Sequence, residues 1–243
     1  RQLPAFEPQQ YEDAIRWAAQ SLNAVGVTGM KDAQADHYTI NAYTSAEMKG
    51  ALTLHVAASM PWKNSWPETP AEEERNIAAR GELKSALVNN NYIKMFLDGI
   101  PPTRTAAFLE PYLPDATHKA GDTGKLNYTP EELAQDVTAL DGQGLTVKIH
   151  ATGDRSVRVA LDAFAAARTV SGKMDLRHEV AHAEAISAAD LPRFAALNVT
   201  AEMSPILWYP SPLVFSMDTV LGRERLQKWW PIRSLLESGA RVS

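Results

Sequence analysis

The sequence predicts an α/β protein built from repeated β-α units. Six short apolar runs fall at 25–30, 52–57, 92–97, 145–150, 176–180 and 199–203. Their starts lie 27, 40, 53, 31 and 23 residues apart, which leaves room for a crossover helix between parallel strands. The stretches between them carry helical periodicity and helix-start signals. No low-complexity tract or short repeat breaks the pattern.

Taken in order, the first helical stripe is Ala14, Trp17, Ala18 and Leu22. Thr69-Pro70-Ala71-Glu72 reads as an N-cap, a proline at the first helical position and an acidic first turn, and Thr129-Pro130-Glu131-Glu132 repeats it. Asp154 is the expected N-cap of a helix beginning near Ser156, after the tight turn that Gly153 allows. That helix shows the stripe Val157, Ala160, Leu161 and Phe164. Ser187-Ala188-Ala189-Asp190 resembles a capping box before Leu191, Phe194 and Ala195. The segment 99–128 is long and rich in Pro and Gly, as functional or mobile loops are. Six β-α units fit either an open doubly wound sheet or most of a (β/α)8 barrel, and periodicity alone does not choose.

Composition narrows the function classes. The 243 residues hold 24 Lys plus Arg against 29 Asp plus Glu, a formal charge of −5. That balance carries no basic footprint, so nucleic acid is not an expected partner. The longest stretch without Asp, Glu, Lys or Arg is 203–217, only 15 residues with three prolines, too short for a membrane-spanning helix. There is no cysteine, which excludes disulfides, thiolate nucleophiles and cysteine-based zinc sites. No G-x-S-x-G, Walker or G-x-G-x-x-G pattern is present. The compartment is not readable, and we expect both ends to be cut from something longer.

Three strand ends carry chemistry. Lys94 lies inside Tyr92-Ile93-Lys94-Met95-Phe96-Leu97, His150 closes Leu145-Thr146-Val147-Lys148-Ile149-His150, and His182 follows Val180-Ala181. A polar side chain at the end of an apolar strand needs a partner, since burying it unpaired costs roughly 1–3 kcal/mol. At the C-terminal mouth of a barrel such residues face the active site. The plainer reading is a hydrogen-bonded core histidine, and for Lys94 an outward ammonium or a pair with Asp98. Arg155 can contact an anionic substrate or simply be solvated. His178 and His55 read as packing, and His37 and His118 lie in polar, loop-like surroundings.

The same segments resemble the YtcJ-like branch of the amidohydrolase superfamily (amidohydrolase family 3). Its Lys-x-Phe-x-Asp-Gly run reads Lys94-Met95-Phe96-Leu97-Asp98-Gly99, followed by Arg104-Thr105-Ala106. Its His-Ala-x-Gly-Asp-Arg reads His150-Ala151-Thr152-Gly153-Asp154-Arg155, and its Arg-His-x-x-x-His-Ala reads Arg177-His178-Glu179-Val180-Ala181-His182-Ala183. A late Pro-x-Arg-x-Leu-Leu-x-x-Gly-Ala is Pro231-Ile232-Arg233-Ser234-Leu235-Leu236-Glu237-Ser238-Gly239-Ala240. With Gly26-Val27-Thr28 near the start, the likeness spans nearly the whole chain.

The resemblance implies a (β/α)8 TIM-type barrel with a divalent metal centre, zinc by preference, of one or two ions. It gives His182 and His150 as ligands and Lys94 as a carbamylated lysine bridging two ions. It implies a metal-dependent amidohydrolase acting on an amide-type C–N bond of a small molecule. An N-substituted amide is the expected substrate class, with Trp208 and Tyr209 of loop 204–216 as candidate substrate contacts. The superfamily's His-x-His on strand one and Asp on strand eight are not in this sequence, nor is its small β-sandwich. We therefore expect an incomplete barrel of about strands 2 to 7. Alone it should be inactive and should associate with itself or with the rest of its parent. The rival expectations are the same centre acting on an ester or lactone, and a metal-free scaffold.

Overall fold

The computed structural model describes residues 6–63, 69–204, 207 and 209–243. It forms two compact units, residues 1–95 and 96–243. In the first, α1 (Pro8–Ala24), β1 (Gly29–Asp32), α2 (His37–Met48), β2 (His55–Pro61), α3 (Pro70–Ala78) and β3 (Val88–Phe96) alternate. Here β1 pairs parallel with β2, and β2 with β3. Only the last residue of β3 belongs to the second unit.

Local chemistry explains most of these boundaries. Thr69 Oγ1 accepts the Glu72 N–H at 3.4 Å while the Glu72 carboxylate accepts the Thr69 N–H at 2.8 Å, a capping box with Pro70 at the first position. Asp36 caps α2 by accepting the Thr39 N–H at 2.8 Å, which places His37 on a helix rather than in a loop. On α1 the predicted stripe is rotated. The buried residues are Glu12, Ile15 and Ala19, and Trp17 is 71% exposed. Glu12 turns inward because its carboxylate takes hydrogen bonds from Ser45 of α2 at 2.7 Å and from Lys49, the residue that caps its C-terminus, at 2.5 Å.

The second unit runs α4 (Pro130–Gly142), β4 (Thr146–Ala151), α5 (Asp154–Ser171), β5 (Glu179–His182), α6 (Leu191–Ala196), β6 (Thr200–Glu202), α7 (Pro212–Leu221), α8 (Arg223–Leu226), α9 (Ile232–Glu237) and β7 (Arg241–Val242). β4, β5, β6 and β7 pair in that order, all parallel. The fold is therefore α/β, with the repeating pattern of a TIM-type barrel in both units and seven strands among the described residues, one fewer than closure needs. The seventh, β7, is a strand the apolar runs did not signal.

Its core lies where α4 and α5 cover the strands. Leu133, Val137 and Leu140 of α4, Val157, Ala160, Leu161 and Phe164 of α5, and Val147 and Ile149 of β4 are all essentially inaccessible. Each large member contributes roughly 1.5–3 kcal/mol. A second cluster joins Phe108 and Tyr112 of the 99–128 loop to Met217 and Leu221 of α7 and to Trp229. That loop is irregular except for a short 3₁₀ turn at Pro101–Thr103.

His178 belongs to the core. Its Nδ1 accepts the Val147 N–H at 3.0 Å, its Nε2–H donates to Asp141 at 3.0 Å, and Phe164 stacks on it at 4.8 Å. Arg168 also donates to Asp141 at 3.0 Å. Burial, and then the Arg168 charge, lower the His178 pKa to about 4. The unfolded ring titrates near 6.5, so between those values the unfolded state holds more protons. The stability present above pH 6.5 should be lost as pH falls toward 4, by roughly 3 kcal/mol at most. Unfolding midpoints from pH 7 to 4 should show this decline, and His178→Gln should flatten it.

Candidate active site

The C-terminal ends of β4 and β5 bring two histidines together. On β4, Lys148 and His150 share one face, and Val147, Ile149 and Ala151 share the other. His182 pairs with Ala151, so a regular pleat would send it away from His150. Instead His182 has φ +64° and Ala183 φ +44°. This left-handed turn breaks the pleat, at a cost of about 1–3 kcal/mol per residue. It leaves the His150 and His182 rings 4.8 Å apart at 74°.

One nitrogen of each ring has a clear hydrogen-bond partner. His150 Nε2 lies 3.0 Å from the Gly99 carbonyl, which can only accept, so Nε2 carries the proton and Nδ1 the lone pair. His182 Nδ1 lies 2.8 Å from Ser204 Oγ. In the tautomer that donates Nδ1–H to that hydroxyl, Nε2 carries the lone pair. Partners of this kind orient metal-binding histidines and fix their tautomers.

The Gly99 carbonyl is itself positioned by Asp98. That buried carboxylate accepts the N–H groups of Ala107 at 2.9 Å, Gly153 at 3.1 Å and Thr152 at 3.1 Å, and the Ser156 hydroxyl at 2.6 Å. Burial raises its pKa, opposed by these hydrogen bonds and by the His150 ring 3.6 Å away. Thr152 Oγ1 donates to the Gly99 carbonyl at 2.8 Å. Beside this group, Glu184 is 3% exposed, its Oε2 has no hydrogen-bond partner among the described residues, and burial plus the Asp98 charge raise its pKa to about 7.

The other sequence candidates fall as follows. Lys94 is a buried residue at the end of β3, opposite Pro61 of β2 in the first unit. Arg155 Nη2 donates to the carbonyls of Thr123 and Gly124 at 3.3 and 2.9 Å, so it holds the 99–128 loop. Tyr209 is 72% exposed, and Trp208 lies outside the described residues. Asp154 is not the N-cap: Gly153 is, and Asp154 accepts the Leu109 N–H at 2.8 Å. The 187–190 stretch forms no capping box, because Asp190 caps α6 without a side-chain bond and instead holds Arg158 and Arg193. Sequence reasoning missed Ser204, Ser156 and Glu184. Asp98 was visible in its motif, but its role as an acceptor hub was not.

The amidohydrolase family profile (Amidohydro_3) matches residues 1–243. The chain belongs to the amidohydrolase family. It is 25% identical over 243 residues to the N-substituted formamide deformylase of Arthrobacter pascens, covering 98% of this chain and 43% of the relative. It is 24% identical over 244 residues to the putative amidohydrolase YtcJ of Bacillus subtilis, covering 98% and 42%. Among solved structures, an uncharacterized metal-dependent hydrolase from Pyrococcus furiosus superposes with TM-score 0.74 at 23% identity, covering 98% of this chain and 46% of that one. The chain thus spans less than half the length of these relatives.

The His150–His182 pair fits a metal centre by donor chemistry, with two imidazoles side by side and one nitrogen of each held by a neighbour. No group of three or more His, Cys, Asp or Glu among the described residues is placed to hold an ion, so the pair would supply two donors at most.

Two predictions follow from this packing. Ser204→Ala should weaken Zn²⁺ binding by about 10–100-fold in a chelator competition while leaving the metal-free unfolding midpoint in place. Gly153→Ala puts a Cβ 2.0 Å from the Ala107 carbonyl oxygen. It should cost about 1–3 kcal/mol in denaturant unfolding.

Proposed function

We propose that the protein acts as a metal-dependent hydrolase of an amide-type C–N bond in a small N-substituted amide. The observation that carries this reading is the convergence of His150 and His182, each with one ring nitrogen already committed to Gly99 or Ser204. His150 Nδ1 and His182 Nε2 would hold a divalent ion, zinc by preference. A divalent ion there supplies Lewis acidity, lowering the pKa of water and polarising a carbonyl.

The chain's own residues prepare that chemistry. Asp98 keeps the Gly99 carbonyl in place, and the carbonyl keeps the His150 ring from rotating. Ser204 does the same for His182. Lys94, as a carbamate, is our candidate bridge to a second ion. The 99–128 loop, tied down by Arg155, forms the cover of the mouth, with Tyr209 and Trp208 as aromatic substrate contacts. The likeness to a formamide deformylase supports a small amide over other electrophiles.

Metal analysis of the full-length protein tests the reading. We expect about one to two zinc-type ions per chain, lost in His150→Ala and His182→Ala. Lys94→Ala should lower a two-ion content to one and abolish any gain in activity from added bicarbonate. The matched formamide should turn over and the matched ester should not. Full metal content in both histidine variants would contradict the proposal.

A further inference from the structure

Glu184 is a buried carboxyl group to which the metal-centre reading gives no part. It lies two residues past His182, just after the left-handed turn that ends β5. The residue is 3% exposed, and its Oε2 has no hydrogen-bond partner among the described residues. Slack in the chain does not account for this. The Ala183 and Ala185 N–H groups donate to the carbonyls of Ala151 and Thr152 at 3.1 Å each, and the Glu184 carbonyl accepts the Trp230 N–H at 2.8 Å. The backbone is thus tied on both sides of Glu184 while Oε2 is left open. Its neighbour Ala185 joins the apolar cluster with Phe108 and Trp229. Glu184 instead lies close enough to Asp98 to feel its charge, and Asp98 is 3.6 Å from His150 Nε2. The chain therefore places this carboxyl beside His182, and Asp98 places it beside His150.

Stability does not ask for it. A buried polar atom without a partner costs free energy, and an apolar side chain of similar size would remove that cost. Asp98 offers no relief, since a second carboxyl repels and its oxygens are taken by the donors of Ala107, Thr152, Gly153 and Ser156. An unsatisfied acceptor in a native interior beside a candidate site points to a donor that arrives with the ligand. A carboxyl group accepts a hydrogen bond whether or not it carries a proton. At its reacting group a secondary amide offers one donor, the amide N–H. A tertiary amide offers none.

We propose that Glu184 is a specificity residue of the site: Oε2 accepts the amide N–H of the substrate beside the His150–His182 pair and so selects secondary over tertiary amides. This inference rests on the hydrolase reading above and narrows its substrate class to amides that keep an N–H.

The full-length, zinc-loaded protein, assayed with a secondary N-substituted formamide and with its N-methylated tertiary counterpart, tests it. The wild type should prefer the secondary substrate by about 10–100-fold in kcat/KM. Glu184→Leu should shrink that preference about tenfold, because the acceptor is gone while the steric difference between the two substrates stays. Glu184→Gln keeps a carbonyl oxygen and should restore the preference to within about threefold of wild type. Glu184→Met also removes the acceptor and takes the place of Glu184→Leu if that variant does not fold. Zinc content should be the same in all of them. A wild type with no preference for the N–H substrate would overturn the role of Glu184 whatever the variants do. Rates that fall equally for both substrates in the Leu and Met variants would make Glu184 merely structural and overturn it too. Zinc lost from those variants at an unchanged unfolding midpoint would make Glu184 a metal ligand instead, again against the inference. A wild type that turns over neither amide would overturn the hydrolase reading, and this inference with it.

Discussion

The buried carboxylate of Asp98 holds together the three chain segments from which the His150 side of the site is made. It sits two residues past β3 and collects the Ala107 N–H, the Thr152 and Gly153 N–H groups, and the Ser156 hydroxyl at the start of α5. A carboxylate removed from water survives only with such a set of donors, and losing one leaves a buried group unpaired at roughly 1–3 kcal/mol. The consequence reaches His150 through the backbone and through the carboxylate itself, 3.6 Å from Nε2. Asp98 fixes the segment after β3, and the adjacent Gly99 carbonyl takes the Nε2 proton. Gly153 lets the 107 carbonyl approach so closely that no side chain fits between them. The orientation of the imidazole thus follows from the Gly99 carbonyl and the Asp98 carboxylate together.

One motif contains two histidines with opposite fates. His178 and His182 lie four residues apart in Arg177-His178-Glu179-Val180-Ala181-His182. His178 is stacked on Phe164 and satisfied at both nitrogens inside the helical layer. His182 sits where β5 ends, in a left-handed conformation that turns its ring toward His150. The difference is backbone conformation, not residue type. A strained turn after a regular strand is the sort of local cost that persists where surrounding hydrogen bonds over-determine it. Here the Ala183 and Ala185 N–H groups are held by the carbonyls of Ala151 and Thr152.

Much of this was legible in the sequence, for identifiable reasons. The α5 stripe and the Thr69 and Thr129 caps depend on local chemistry and emerged as read. The run at 145–150 matches β4 to within one residue, whereas the run at 176–180 was displaced, since β5 spans Glu179–His182. The early strands were displaced because Leu52 and Leu54 are buried in the loop before β2, and an apolar run does not distinguish buried loop from strand. The start of β3 was hidden by Asn89, Asn90 and Asn91, whose polarity masks a segment whose first residue, Val88, pairs with Val56. The α1 stripe was rotated by Glu12, a charged residue buried by its α2 partners. Ser204 and Ser156 were illegible because a hydroxyl's role depends on what folds against it.

The account stands on which nitrogen of each ring meets the metal ion. Anomalous diffraction at the zinc edge from crystals of the metal-loaded, full-length protein measures this directly. The account predicts a zinc peak bonded to His150 Nδ1 and His182 Nε2, with His150 Nε2 still on the Gly99 carbonyl. Zinc bonded to His150 Nε2, or located away from both rings, would contradict it.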